Sequence, residues 1–342
     1  MVTFKKLSEL QLKEILKKTA SVRIGMIGDL CLDIYWKADM KRSELSRETP
    51  HFPLPVVEEY MSPGGGGNVC ANIAAIHPAR VEAIGVVGND WRGQSLLKEL
   101  HNLGVGDSGI VISNDVITNA YCKPVRMGIS HVEYEDPRLD FCNYRPLPEK
   151  TEKELLINLE NVVKDIDVLC VSDQLQYGCI TPAIRQQIMK YSAGGLKVIV
   201  DSRDRISEYR GVIMKPNEIE GWRVVYGLDI SRIDDFETYI ETAEKLTQIN
   251  QAPVCMTLGS KGCLFSDNDG LTHVEAYPVE PPVDIVGAGD TFLAAFGIAL
   301  GAGIEPVLAA SFGNLASSIT VKKIGTTGTA SPKEIAHRLS VV

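Results

Sequence analysis

Residues 284 to 303 read DIVGAGDTFLAAFGIALGAG, which sets a carboxylate, Asp290, between a turn of small residues and an apolar run with the look of a buried helix. No large side chain shields the peptide NH groups of Gly287, Ala288 and Gly289, and the first turn of a helix leaves further NH groups unpaired. Such a turn cradles an anion such as phosphate. A carboxylate beside it either caps the helix, at a gain of ~1 kcal/mol, or receives a proton next to the bound anion. The turn alone leaves both open.

Other stretches carry residues of the same kind. SPGGGGNVCANIAAI, residues 62 to 76, sets four glycines ahead of a helix beginning near Asn68. Gly65 and its neighbours let backbone NH groups approach a ligand closely, and Asn68 offers both a donor and an acceptor to a hydroxyl. A flexible glycine turn is the plain alternative. Asp29 and Asp33 fall at the carboxyl end of the first core strand, where a carboxylate can accept hydrogen bonds from two sugar hydroxyls; an exposed strand-end aspartate competes as a reading for each. In KPNEIEG, residues 215 to 221, Asn217 and Glu220 stand three apart and so share one face of a first helical turn. Together they could hold a hydrated Mg²⁺, whose shell phosphates and water complete; alone, Glu220 could be a helix-start acid favoured by the dipole. TLGSKG, residues 257 to 262, reads as a hairpin turn, though its Gly259 and Lys261 could also lie along a polyphosphate.

GVGDSG, residues 104 to 109, matches G-x-G-x-x-G, but it follows a helix and leads into a strand, the reverse of a dinucleotide site, so it reads as a turn. The P-loop, H-E-x-x-H and G-x-S-x-G patterns are absent, which removes the common zinc-protease and serine-hydrolase routes.

The elements that must position these residues alternate. The start of SVRIGMIGDLCLDIYW, and RVEAIGVVGND, DVLCVSDQ, LKVIVDSR, GVIMKPNE and APVCMTLGSKG, each run apolar for about five residues and end in polar or glycine residues, the mark of a parallel strand covered on both faces. Between them lie helical periods such as WRGQSLLKELHNLG and TPAIRQQIMKYSAGG. A mainly parallel sheet follows, with the site at the carboxyl ends of its strands. Residues 34 to 60, with three prolines, and 117 to 134, which alternate as antiparallel strands do, break the rhythm and predict a small β-flap over the site. With no repeat or linker, residues 1 to 342 read as one domain, opened by an amphipathic helix within 1 to 20.

At 342 residues, 44% hydrophobic and 23% charged, the chain has the composition of a soluble globule. A net charge of −9 disfavours nucleic-acid and anionic-membrane partners and favours a small molecule. Cys70, Cys170, Cys255 and Cys263 sit in apolar stretches as reduced thiols would. With no signal peptide or spanning run, a cytoplasmic protein is expected.

The ordered set of glycine cluster with Asn68, N-x-x-E, T-L-G-S-K-G and D-x-V-G-A-G-D-T-F resembles the ribokinase-like (PfkB) carbohydrate kinases over residues 22 to 335. GDLCLDIYW, SRETPHFPLPVVEE, RLDF and YRGVIMKPNEIE resemble most the kinase domain of bacterial D-glycero-D-manno-heptose-7-phosphate kinases. The resemblance implies a three-layer α/β/α fold with an inserted β-sheet lid and ATP-dependent phosphorylation of a sugar or sugar phosphate. It implies Asp290 as base and the amides of Gly287, Ala288 and Gly289 as anion hole. Asp33, Gly65, Asn68 and Asp140 of RLDF would bind sugar, and Thr257, Gly259, Lys261 and Asn314 the nucleotide. Asn217 and Glu220 would organise Mg²⁺ through water, and Asp284, with GTTGT at 325 to 329, matches a K⁺-type monovalent-cation loop.

Departures accompany the match. Gln176 and Tyr177 stand where heptose kinases carry a lysine-glycine pair, and DSRDR at 201 to 205 replaces D-P-K. Either change could remove a substrate-phosphate contact that Arg203 or Arg205 restores. The H-x-G-H motif of a nucleotidyltransferase domain is absent, so nucleotide activation of the sugar is not expected. A nucleoside kinase on the same scaffold and a non-catalytic sensor remain alternatives. Alternating apolar residues of the flap, including Tyr35, Val56, Val57, Tyr121, Val125 and Val132, predict a homodimer through the lid.

Overall fold

The computed structural model describes residues 2–128, 132–227 and 235–342. Among these, the main sheet holds ten strands. At its centre Arg23–Gly28 lies parallel between Val168–Asp173 and Arg80–Gly88, with Gly106–Ser113 beyond the latter. From Val168–Asp173 the sheet continues through Lys197–Ser202, Ile213–Met214 and Val254–Thr257, all parallel. Cys263–Asp267 then reverses the direction and Gly270–Val274 restores it.

The apolar strand runs are buried on both faces because each residue pair serves two cores. Ile24 and Met26 face one with Phe292, Phe296 and Phe312, whereas Ile27, Val171 and Val200 face the other with Leu159, Ile188 and Leu246. Helices cover both sides, as the expected three layers require. One of them, Ala288–Gly301, carries Asp290 and is buried along nearly its whole length. It rests directly on the strand Val168–Asp173: a Cβ at Gly297 would come within 2.4 Å of Cys170 Sγ. That close seat fixes the height of the anion turn above the sheet. No helix among the described residues is long and apolar enough to cross a membrane.

A second sheet forms the lid, in the order Val56–Gly65, Leu30–Asp39, Asn119–Met127 and Glu133–Glu135, with Leu139–Phe141 also on Asn119–Met127. The lid therefore starts at residue 30, earlier than expected, because Leu30–Asp39 continues almost directly from the core strand Arg23–Gly28. Asn119–Met127 pairs parallel with Leu30–Asp39, and only its other neighbours are antiparallel; alternation reports a half-buried face and not strand direction. Residues 129 to 131 of the second flap segment lie outside the described residues. The amphipathic start forms the helix Glu9–Thr19, preceded by a short edge strand, Val2–Phe4, that the helical pattern masked.

Candidate active site

Asp290 is the third residue of Ala288–Gly301, whose N-cap is Gly287 at φ +79°, a conformation that favours glycine. Its carboxylate Oδ2 accepts a 2.7 Å hydrogen bond from Asn68 Nδ2, in the first turn of the helix Gly66–Ala75. Asn72 Nδ2 donates to Asn68 O at 2.9 Å, and Thr291 Oγ1 donates to Asn72 Oδ1 at 2.9 Å. The two helix starts are thus held together by a polar ladder, which places Asn68 and Asp290 as a unit. The Asp290 carboxyl is lifted to about 7, chiefly by burial and also by Asp201 and Asp33, against the lowering effects of the Asn68 bond and Lys215.

A cavity of about 850 Å³ opens on one side of this pair. Gly287, Ala288, Gly289 and Asp290 form one wall, and Thr257, Gly259 and Asn314 line it farther out. Asn314 Nδ2 donates to the carbonyls of Val274 and Glu275 at 3.1 and 3.2 Å, so its amide also holds the strand end in place. The cavity lies at the carboxyl ends of the parallel strands, as the alternating pattern predicted.

Lys215 and Asp201 are the residues that sequence reasoning missed. Lys215 is 3% exposed and its ammonium lies 2.9 Å from Asp201 Oδ2. Burial works against its charge, but Asp201, then Glu220 and Asp290, raise its pKa above the usual lysine value and keep it cationic. The ammonium comes within 3.9 Å of the Cβ position at Gly289, which sets a buried cation beside the anion turn. The signal was present: VIVDS and VIMK end on adjacent parallel strands paired at Ile199–Ile213 and Val200–Met214, so the next step aligns Asp201 with Lys215.

Asn217 and Glu220 both line the cavity, and they also form a capping box at the helix Glu218–Tyr226. Asn217 Oδ1 accepts from the Ile219 and Glu220 amides at 2.9 and 2.8 Å, and Glu220 Oε2 accepts from the Asn217 amide at 2.8 Å. Burial first, then Asp201, raise the Glu220 carboxyl to about 7, while Lys215 lowers it. Among the described residues no group of three or more His, Cys, Asp or Glu could cage a metal. The remaining Glu220 oxygen suits a hydrated ion held through water.

The other expected residues fall in different places. Asp33 is 5% exposed, pairs with Lys123 Nζ at 3.2 Å on the lid, and lies outside the cavity lining. Gly65 is the N-cap of the helix that bears Asn68. Asp140 is tied to Arg138 by two hydrogen bonds of 2.6 and 2.8 Å, one strand from Asp33, across Tyr121. Asp284 accepts from the Val286 and Gly325 amides at 3.0 Å each, which joins the two segments expected to form a cation loop.

Lys261 is absent from the cavity lining, with its ammonium 5.0 Å from the centre of the Tyr239 ring. Two other expectations need correction. Asp29 is no sugar ligand: it is 2% exposed and its carboxylate accepts the amides of Gln174, Leu175 and Cys179, which fixes the loop after Val168–Asp173. Arg203 lines the cavity, but Arg205 is bound to Asp173 and to the Leu175 carbonyl and is not available for a substrate phosphate. Of the two residues in place of the lysine-glycine pair, Tyr177 lines a separate small pocket beside Asp29, while Gln174, two positions before Gln176, reaches the cavity.

A three-layer α/β/α core with a β-lid, and a buried carboxylate at the glycine turn that starts Ala288–Gly301, make a scaffold of the ribokinase-like kind. The chain belongs to the pfkB family of carbohydrate kinases, whose family model matches residues 34–334; it is a phosphotransferase with a sugar hydroxyl as acceptor group. It is 30% identical over 327 residues to the bifunctional protein HldE of Hydrogenovibrio crunogenus, covering 94% of this chain and 63% of that protein. With the bifunctional protein HldE of Sulfurimonas denitrificans the identity is 30% over 320 residues, covering 90% and 62%. The chain thus spans less than two thirds of the length of these relatives. Among solved structures, Escherichia coli phosphofructokinase-2 in complex with fructose-6-phosphate superposes with a TM-score of 0.71 at 22% identity, covering 94% of this chain and 99% of that one. Ribokinase from Thermotoga maritima gives 0.69 at 22%, covering 93% and 99%. At such identities these two establish the fold.

Proposed function

We propose that this chain transfers the γ-phosphate of ATP to a hydroxyl of a sugar or sugar phosphate, with a heptose 7-phosphate the leading acceptor. The observation that carries the reading is the position of Asp290, hydrogen-bonded to Asn68 on one side and continuous with the anion turn and Lys215 on the other. The similarity to HldE proteins and the lid motifs support the acceptor.

In this mechanism the acceptor lies between the lid and Asn68, held by Asp33, Gly65 and Asn68, with Asp140 at the lid's edge. The nucleotide occupies the cavity along Thr257, Gly259 and Asn314. Phosphoryl transfer has a loose transition state, so positioning and charge stabilisation dominate. The acceptor hydroxyl hydrogen-bonds Asp290, its oxygen attacks the γ-phosphorus, the bond to the bridging oxygen breaks, and the proton passes to the carboxylate late in the step. The amides of residues 287 to 289 and the Lys215 ammonium face the charge that develops on the phosphoryl oxygens. Glu220, with Asn217 beside it, would hold Mg²⁺ through water, and the ion would supply charge neutralisation at the phosphates. Asp284 and the 325–329 loop would hold a monovalent cation such as K⁺ beside the anion turn. Lid closure excludes water, and the exposed lid residues pair two subunits in a homodimer.

A coupled ADP-release assay tests the reading against D-glycero-D-manno-heptose 7-phosphate, fructose 6-phosphate, ribose and adenosine. Turnover of a sugar or sugar phosphate is expected; turnover of adenosine alone, or of nothing, overturns it.

A further inference from the structure

Two side-chain hydroxyls near the proposed acceptor site are buried yet have no hydrogen-bond partner among the described residues: Ser62 Oγ and Thr327 Oγ1. A buried hydroxyl left unpaired costs ~1–3 kcal/mol, and native proteins keep few such groups without a reason. The placement of these two supplies one.

Ser62 lies on the lid strand Val56–Gly65, directly opposite Asp33, and Asp33 is in turn opposite Tyr121. Cross-strand partners point to the same face of a sheet, so the Ser62 hydroxyl shares a face with the Asp33 carboxylate. Thr327 lies in the loop after the helix Pro306–Thr320 and packs against the anion turn. A Cβ built on Gly287 would lie 3.5 Å from Thr327 Cγ2 and 2.9 Å from Asn68 Nδ2, so Thr327 and Asn68 flank the same side of that glycine. Thr327 is absent from the lining of the nucleotide cavity, which Gly287 and Asp290 do line. It therefore stands on the Asn68 flank of the turn, outside that lining.

The two segments are also tied to each other. Tyr60 Oη donates to the Gly325 carbonyl at 3.3 Å, and the Gly325 amide donates to Asp284 Oδ2 at 3.0 Å. Ser62 comes two residues after Tyr60 on the way to Asn68, and Thr327 comes two residues after Gly325 on the way back past Gly287. Each unpaired hydroxyl thus sits between the tie and the Asn68–Asp290 pair.

We propose that Ser62 and Thr327 are acceptor-binding residues, whose hydroxyls hydrogen-bond sugar hydroxyls other than the one attacked. The site then selects a polyol that presents at least two further hydroxyls flanking the reacting one. A site with buried polar groups rejects a ligand that leaves them unpaired, so the same two residues discriminate against deoxy acceptors. This rests on the sugar-kinase reading of Asp290 given above.

The test uses Thr327→Val, which keeps the side-chain shape, Ser62→Ala, and Thr327→Ser as the conservative control. The acceptors are D-glycero-D-manno-heptose 7-phosphate and fructose 6-phosphate, compared by whichever of the two the wild type phosphorylates. Each hydroxyl deletion should raise the acceptor KM ~3- to 10-fold, the worth of one hydrogen bond, and leave the KM for ATP unchanged. Thr327→Ser should restore the wild-type value. Melting of the unliganded protein should be unchanged or shifted upward, because the deleted group has no partner to lose. A lowered Tm with an unchanged acceptor KM would overturn the proposal and make the hydroxyls structural. If the wild type phosphorylates neither acceptor, the sugar-kinase reading with these acceptors falls and takes the proposal with it, a failure visible without any variant.

Discussion

Asp290 is held in a setting that makes its protonation state sensitive near neutrality. Its carboxyl is lifted to about 7, chiefly by burial, so the base form appears only as the pH rises through that value. The acid limb of kcat/KM should accordingly fall below about pH 7, and Asp290→Asn should abolish the limb and lower turnover ~10²- to 10⁴-fold while ATP binding persists. Stability should move the other way. A carboxyl whose folded pKa lies above its unfolded value binds its proton more tightly when folded, so stability is lost as the pH rises from about 4 towards 7 and stays low above it. Asp290→Asn removes that loss, and the variant should melt higher than the wild type at pH 8, as differential scanning fluorimetry would show. Lys215 acts on the same group from the cavity side. Lys215→Met leaves Asp201, Glu220 and Asp290 without the cation that lowers the Asp290 pKa, so the acid limb should shift to higher pH and the KM for ATP should rise. An unshifted limb would show that the lysine does not act on the base. Asp290 was legible because a G-A-G-D turn carries its own geometry. Lys215 and Asp201 were not, because their meaning comes from the register of two strands far apart in sequence.

At the scale of elements, the capping box Asn217–Glu220 shows how a local rule and a site role coincide. The N-x-x-E spacing that predicted a metal-organising pair also describes the reciprocal bonds that start the helix Glu218–Tyr226. Glu220→Gln separates the two, because glutamine can still accept the Asn217 amide while the charge is gone. The helix and the melting temperature should be nearly preserved, and the Mg²⁺ concentration for half-maximal rate should rise with acceptor affinity unchanged in equilibrium titration. Loss of acceptor affinity at constant Mg²⁺ dependence would assign Glu220 to the sugar instead. Core elements were readable because each apolar run is short, double-faced and ended by polar residues. The lid was readable as a place but not as a topology: Asn119–Met127 pairs parallel with a strand some ninety residues earlier, a long-range choice that no local pattern encodes. Asp29 misled for a related reason. A strand-end aspartate looks the same in sequence whether it faces a ligand or, as here, three backbone amides of its own chain.

For the molecule as a whole, the question is what covers the lid. Of the six apolar lid residues expected to seek a partner, Tyr35 is satisfied within its own chain, 7% exposed and stacked on Tyr60 with ring centroids 4.4 Å apart. Tyr121 and Val125 are half-buried. Val56, Val57 and Val132 remain 45 to 49% exposed, and Tyr134 and Leu139 at 58 and 51% extend the same sheet. The arm between Leu30–Asp39 and Val56–Gly65 adds Leu45, Phe52 and Leu54 at 40 to 61%. The available surface is therefore narrower at the base of the lid and broader at its tip than the alternation suggested. Exposed apolar side chains on a thin sheet suit an interface, and a second copy is the partner always present at equal concentration. Light scattering at micromolar concentration should give about twice the 37.4 kDa chain mass. The double change Val56→Lys with Val57→Lys, which sets charge into that face, should return a monomer that still folds, since neither residue belongs to the buried core. If closure of the lid over the acceptor depends on the paired sheets, that monomer should also show a raised acceptor KM with the KM for ATP unchanged. A wild-type protein that scatters as a 37.4 kDa monomer at full activity would rule the dimer out and leave the tip of the lid as a surface for another ligand.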